Sequence, residues 1–313
     1  MAKSRFEYVR NFELADSLVP GCCIVVRVDG HKFTRFTKTH SFDKPNDSRG
    51  LQLMNEVQDT KYCFLSITCL VPAAAFSAVL IFFSFSADAV PEQCAKAVML
   101  EWSDIVMAYG QSDEYSFLLP AWSDLYNRRA SKLSSSFASL FASSYVFLWP
   151  KFFGDAPLQS APAFDGRAIA YPTPAHVRDY FAWRQADCHI NNLYNTAFWS
   201  IVKSGLSTQA REFACERPLL QALAGTSAAE KNELLFKRFG INYNNEPEMY
   251  RKGTVICRQG ELALTRPNAR NKKARARAEA DARGDGTALA THHVDIIGEA
   301  FWAQRPALLR PDG

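Results

Sequence analysis

The apolar and polar positions of this chain fall into runs and stripes that outline its elements. Cys23 to Val28 form a β-branched apolar run closed by Asp29-Gly30, and Ala108 to Phe117 set Ser112-Asp113-Glu114 between two apolar arms. Such runs predict a strand over 23–28 and hairpin strands near 104–109 and 114–119. Helical spacing predicts one helix over 47–56 that resumes at 94–102, and another from about 124 to 149. Strand, helix, strand, strand, helix is the opening of a βαββαβ palm.

The first helix is continuous only if residues 57–93 are set aside. With Glu56 joined to Cys94, Leu51, Met54, Ala95, Val98, Met99 and Trp102 fall at offsets 0, 3, 7, 10, 11 and 14, a single helical stripe. Left in place, the thirty-seven residues would rotate the second half of that stripe by about 100°. Residues 62–87 carry no formal charge and are rich in Phe, Leu, Val, Ala and Ser, which also makes them a candidate membrane span. A genetic explanation fits the stripe better. Every Val codon begins with GT, one Gln codon ends in AG, and thirty-seven codons keep the reading frame. We therefore read 57–93 as a retained intron, ahead of a looped-out insertion and of a membrane anchor, and expect no membrane partner.

The 313 residues, 48% hydrophobic, suffice for a substantial core in one large domain or two small ones. A net charge of +4 permits nucleic-acid binding without arguing for it, because an RNA-binding protein needs local rather than global positive charge. In residues 266–290 Arg, Lys, Ala, Asp and Gly replace apolar periodicity. They read as a disordered basic segment, either a solvated linker or a source of nonspecific RNA affinity through counterion release. Eight cysteines at 22, 23, 63, 69, 94, 188, 215 and 257 form no CxxC pair, the pattern of a reduced intracellular compartment. Glu7, Glu13 and Asp16 stand where a signal or Arg-rich transit peptide would be apolar or basic, so a cytoplasmic protein is expected, with mitochondrial presence left open.

Two carboxylates at strand ends are the main chemical signal. If their strands are neighbours, Asp29 and Asp113 converge on Mg²⁺, which takes one or two protein carboxylates and leaves its other positions to water and phosphate. That is the geometry of a nucleotidyl-transfer site. Asp-Gly is equally a hairpin-turn signal, and Ser-Asp-Glu equally a solvated strand face. Arg128, Arg129 and Lys132 lie within one or two helical turns, as either a phosphate-binding or a merely solvated face. His189 and Asn192 fall at i, i+3 and could meet RNA bases or ribose; a buried, satisfied histidine is the rival. In Lys44-Pro45-Asn46-Asp47, Asn46 or Asp47 is also suited to cap the helix that follows.

Taken in order, MAKSRFEYVRNFE, VRVDG, KPNDS, YGQSDEYSF, FDGRA, WRQADCHINNLYN, INYNNEPEMYRKG and HHVDIIGEAFW resemble the tRNA-His guanylyltransferases of eukaryotes, in a metazoan-like form. The resemblance covers the chain except over 57–93 and roughly 266–290. It implies an α+β fold: a polymerase-like palm with a βαββαβ, ferredoxin-like core and additional C-terminal α/β elements. The implied organisation is a catalytic palm at 1–150, a tRNA-binding and catalytic-support region at 151–260, and a basic segment with a short C-terminal motif at 261–313.

The implied reaction adds GMP to the 5′ end of tRNA-His in the 3′-to-5′ direction. ATP adenylylates the 5′-monophosphate, the 3′-hydroxyl of GTP displaces AMP, and pyrophosphate is removed. The implied cofactor is a pair of Mg²⁺ ions held by Asp29, Gly30 through its carbonyl, and Asp113, with Ser112 and Glu114 beside them; Asp29, Asp113 and Glu114 are the implied catalytic residues. Nucleotide contacts are implied for Asp29, Gly30, His31, Lys32, Phe33, Thr34, Lys44, Asn46, Asp47, Ser112 and Asp113. At Thr34 this chain departs from the pattern, since relatives usually carry His there. RNA contacts are implied for Arg167, Asp187, Lys231, Asn242, Asn245 and Lys252, beside the Arg128, Arg129, Lys132, His189 and Asn192 already named. A homotetramer is the implied assembly. Template-dependent 3′-to-5′ repair of tRNA ends and noncatalytic tRNA binding are the alternative functions.

Overall fold

The computed structural model describes residues 4–55, 94–204, 223, 225–258 and 289–309; the interruption at 57–93 and most of the basic segment lie outside them. The strands are β1 (Cys23–Gly30), β2 (Met107–Gln111), β3 (Glu114–Leu119), β4 (Phe164–Tyr171), β5 (Thr254–Arg258) and β6 (Leu289–His292). They form one sheet in the order β4-β1-β3-β2-β5-β6, with every neighbouring pair antiparallel. The helices are α1 (Phe33–Thr39), α2 (Ser48–Asn55), α3 (Cys94–Glu101), α4 (Ala130–Phe153), α5 (Pro174–Lys203), α6 (Ala228–Phe239), α7 (Glu248–Lys252) and α8 (Glu299–Ala303). The order β4-β1-β3-β2, with α2 to α4 on one face, is the expected βαββαβ palm.

Period-two alternation explains why both faces of this sheet are covered. Ile24, Val26 and Val28 of β1, Tyr115, Phe117 and Leu119 of β3, and Ile256 of β5 enter one core, shared with α2, α3 and α4. Cys23 and Val25, Leu118, Met107 and Tyr109, and Val255 and Cys257 enter a second core under α5 and α8. The far half of α5 packs with α6 in a third, through Leu193, Ala197, Ile201, Leu235 and Tyr243.

Met54, Ala95, Val98 and Met99 of the helical stripe are fully buried, and Trp102 stacks on Phe137 at 4.4 Å. Leu51 is only half-buried, and Leu53, outside the stripe, is buried in its place. The segment joining α2 to α3 lies outside the described residues, among which no helix is long and apolar enough to cross a membrane.

Two boundaries differ from the sequence reading. The helix expected from about 124 begins at Ala130, because Tyr126, Asn127 and Arg128 adopt left-handed backbone with φ of 53°, 54° and 58°. Its N-terminus is capped from a distance: Asp16 accepts the Ser131 amide at 2.9 Å through its carboxylate and the Ala130 amide at 2.9 Å through its carbonyl. Hydrogen bonds from Ser131 hold the Asp16 carboxyl down at about 2. At the other boundary, Leu289 and Ala290 are not part of a structureless segment. They open β6, which pairs with β5, and Leu289 packs against the first core.

Candidate active site

The site begins with the alternation of β1. Val26 and Val28 face the first core, so Arg27 and Asp29 face α5. On β3 the same face carries Glu114, Ser116 and Leu118, and the register sets Asp29 opposite Glu114. An Arg between two apolar neighbours would be costly to bury alone. Here its guanidinium lies between two carboxylates, reaching Glu114 at 2.6 Å and pairing with Asp29 as well. Arg184 of α5 approaches Glu114 from the other side, at 3.1 Å and 3.4 Å to its two oxygens, and extends to Asp187 at 3.5 Å. The result is a charge ladder, Asp29–Arg27–Glu114–Arg184–Asp187. Burial pushes the Glu114 carboxyl above its ordinary value, against the opposing pull of Arg27 and Arg184.

Asp113 lies in the two-residue turn between β2 and β3. Ser112 takes φ of 50°, as the first residue of a primed hairpin turn requires, and its hydroxyl donates to Asp113 Oδ1 at 3.0 Å. The Gly30 amide donates to the Asp113 carbonyl at 3.0 Å, which ties the turn to the end of β1. A Cβ on residue 30 would lie 2.7 Å from Asp113 Oδ2 and 2.7 Å from the Phe33 ring. Only glycine allows this approach. Burial raises the Asp113 carboxyl above its ordinary value, the charge of Asp29 adds to that rise, and no cation pairs with it among the described residues.

Asp29, Asp113 and the Gly30 carbonyl offer hard oxygen donors around a cradle that a side chain at position 30 would fill. An unbalanced carboxylate beside a backbone carbonyl suits a divalent cation that keeps water and phosphate among its ligands. Among the described residues no three or more His, Cys, Asp or Glu side chains cluster as a closed metal cage.

A cleft of about 870 Å³ opens beside this edge and gathers Phe33, Thr34, Lys44, Asn46, Asp47, Ser112, Asp113, Glu114, Asp187 and Asn192 from the expected residues. Asp29, Gly30, His31 and Lys32 do not line it. His31 and Lys32 are exposed just before α1, whereas Phe33 is buried against Phe36 at 4.9 Å and anchors the loop. Thr34 is exposed, with no imidazole in its place.

In the loop before α2, Asp47 has become the cap: it accepts the Arg49 amide at 2.9 Å, the Asp43 amide at 3.0 Å and two bonds from the Arg49 guanidinium. Burial raises its carboxyl, yet these bonds prevail and hold it below its ordinary value. Its acceptors are therefore taken up by this chain. Asn46 instead donates to Asn192 Oδ1 at 3.1 Å, and Lys44 donates to Thr37 at 3.1 Å.

The residues expected to meet RNA divide by environment. Arg128 is buried, and its guanidinium donates to the carbonyls of Leu18, Val19, Cys22 and Ser123, so it fastens the N-terminal arm and faces no ligand. Asn192 is also buried, with both ends of its carboxamide engaged by Asn46 and Tyr243. Arg129 pairs with Asp16 at 3.2 Å, and Lys132 is exposed. Arg167 is exposed on edge strand β4, far in the sheet from β5. His189 is half-buried; burial, reinforced by Arg251, lowers its pKa, and its ring meets Tyr243 at 5.5 Å. Lys231 donates to the Thr226 carbonyl, Asn242 caps a short 3-10 turn by accepting the Asn244 amide, Asn245 is exposed, and Lys252 pairs with Glu248 at 2.7 Å.

Sequence reasoning missed Arg27, Arg184 and Tyr243. Arg27 was detectable, since a lone charge two residues before Asp29 in a strand must share its face. Arg184 and Tyr243 carried no such local signal.

The chain is similar to known proteins over most of its length. A family profile described as tRNAHis guanylyltransferase matches residues 6–69 and 86–172, and one described as Thg1 C terminal domain matches 175–298. The first match is broken within the interruption at 57–93. The chain is 44% identical to the tRNA(His) guanylyltransferase of Schizosaccharomyces pombe over 310 residues, 98% of each protein. The crystal structure of the Saccharomyces cerevisiae enzyme matches with a TM-score of 0.63 and 43% identity, covering 82% of this chain and 94% of that one. A bacterial Thg1-like protein in complex with ATP shares the fold, with a TM-score of 0.62 at 19% identity over 97% of each chain.

Proposed function

Because this chain belongs to the tRNAHis guanylyltransferase family and is a nucleotidyltransferase, we propose that it adds GMP to the 5′ end of tRNA-His at the β1–β3 edge. The proposed sequence is transfer of AMP from ATP to the RNA 5′-monophosphate, attack of the GTP 3′-hydroxyl on that activated phosphate with loss of AMP, and removal of pyrophosphate. The observation that carries this reading is the approach of the Asp113 carboxylate to Gly30, directly beside Asp29.

Asp29, Asp113 and the Gly30 carbonyl would hold Mg²⁺, which when bound neutralises phosphate oxygens and orients attacking and leaving groups. The remaining work falls to the chain's own groups. Arg27, itself anchored on Glu114, holds the Asp29 carboxylate in one orientation. Lys44, a point charge on the cleft wall, suits a triphosphate, and Asn46 suits the nucleoside. Thr34 offers a hydroxyl to a bound group but supplies no titrating base near neutral pH. That a bacterial Thg1-like protein is known in complex with ATP supports nucleoside triphosphates as the substrates.

Exposed Lys132 and Arg167 are the cations that best fit RNA phosphates. A homotetramer belongs to the same reading, supported by the exposed apolar side chains Tyr8, Phe12, Leu14 and Phe147. The test is incorporation of labelled GTP into 5′-monophosphorylated tRNA-His with ATP and Mg²⁺. The wild type should label the RNA, and Asp29→Ala and Asp113→Ala should not while still folding; retained labelling by either variant would refute the site.

A further inference from the structure

Asn46 and Asn192 are 146 residues apart, and a third residue decides how they meet. Tyr243, 3% exposed, sits in the short turn after α6. Its hydroxyl accepts from Asn192 Nδ2 at 3.0 Å and directs its own proton to the His189 carbonyl at 3.5 Å. A phenol has one proton to give, so once that proton faces a carbonyl, only acceptor capacity faces Asn192. Asn192 must then present its NH₂ to Tyr243 and its oxygen to Asn46. Asn46 must in turn spend an N–H on Asn192, and its carboxamide oxygen takes no partner among the described residues. Burial pushes the phenol up to about 12, so the proton that sets this order stays in place at physiological pH.

We propose that Tyr243 is a positioning residue for nucleotide recognition, acting through Asn192 to make Asn46 present a hydrogen-bond acceptor to the cleft. The consequence is chemical selectivity. An acceptor oxygen pairs with a hydroxyl or amino group of a nucleoside and repels a phosphate oxygen, which has no proton to give. The Asn46 carboxamide oxygen therefore recognises the nucleoside part of ATP or GTP, and Lys44, with the second Asn46 N–H, is left to the phosphates. This rests on the reading of Lys44 and Asn46 as nucleotide-binding residues.

The experiment is a set of double-mutant cycles in the full chain, read as KM for ATP and for GTP together with kcat. Tyr243→Phe keeps the ring packed against His189 and removes only the hydroxyl. It should raise KM for at least one of the two nucleotides about fivefold with kcat unchanged, the scale of one lost hydrogen bond. In an Asn46→Ala background the same change should add nothing, whereas in a Lys44→Ala background its full effect should persist. Asn192→Ser, which cuts the chain at its middle, should reproduce the Tyr243→Phe result and serves in its place if Tyr243→Phe melts early. An unchanged KM for both nucleotides in Tyr243→Phe and Asn192→Ser, with Asn46→Ala impaired, would overturn the relay alone. An unchanged KM in Asn46→Ala would overturn the nucleotide subsite and the relay with it. Equal losses from Tyr243→Phe in the wild-type and Asn46→Ala backgrounds would show that the hydroxyl acts on folding rather than on Asn46.

Discussion

Asp29 on β1 and Glu114 on β3 face each other across the ladder, and a single guanidinium, that of Arg27, holds both. Two carboxylates in register would repel each other, so the pair depends on the cation between them. Arg184 then closes the far side of Glu114. The orientation of Asp29 is thus set by residues from two strands and one helix.

Arg27→Met should leave both carboxylates short of a partner and lower the unfolding free energy by about 2–4 kcal/mol. Urea melts check the loss. Asp29→Asn introduced into the same chain should recover part of it, because Asp29 is then left without a cation whereas Glu114 keeps Arg184; strictly additive losses would show that Arg27 and Asp29 are energetically independent.

Gly30→Ala should abolish most activity, since its Cβ would lie 2.7 Å from Asp113 Oδ2 and 2.7 Å from the Phe33 ring. Overpacking of this kind costs about 1–3 kcal/mol, so the variant should still fold. GTP incorporation reduced by about a hundredfold or more, with native circular dichroism, is the expected result. Near-normal incorporation would place the metal-binding carboxylates elsewhere.

Mg²⁺ should raise the melting temperature at neutral pH and do so less as pH falls. Asp113 has its folded pKa above the ordinary 3.8, so its ionised form is a destabilising element at any pH above that raised value. A bound cation offsets this only while the carboxyl is charged, and the gain disappears as pH falls through the folded pKa. Thermal melts with and without Mg²⁺ across the acid range measure it. Asp113→Asn should melt at the same temperature with and without Mg²⁺.

Arg128→Ala should lower the unfolding free energy by about 3 kcal/mol, because it strands the carbonyls of Leu18, Val19, Cys22 and Ser123. Below its melting temperature it should bind tRNA like the wild type. Lys132→Ala should do the reverse: an unchanged melt, weaker tRNA binding, and a salt dependence shallower by about one unit of slope. Filter binding across a salt series separates the two.

The α+β palm was legible because its signals are local. The β-branched run ending in Asp29-Gly30 and the polar turn Ser112-Asp113 between apolar arms each declare a strand and its end within ten residues. The stripe from Leu51 to Trp102 also identified buried positions on both sides of the interruption, Met54, Ala95, Val98 and Met99 among them. The start of α4 was not legible, since its cap is Asp16, more than a hundred residues earlier in the chain.

By itself the sequence determined strand order along the chain, the alternation that turns Arg27 and Asp29 to one face, and the presence of a carboxylate at each of two strand ends. Those follow from backbone periodicity, which acts between near neighbours. Only the tertiary structure decided which polar groups remain open to a ligand. Arg128 and Asp47 look like ligand contacts in a list of residues, yet each is fully engaged by this chain. Asn46 depends on Asn192 and Tyr243, and Glu114 on Arg27 and Arg184. A side chain's remaining hydrogen-bonding capacity is what its neighbours leave over, and those neighbours are assembled only when distant segments pack together.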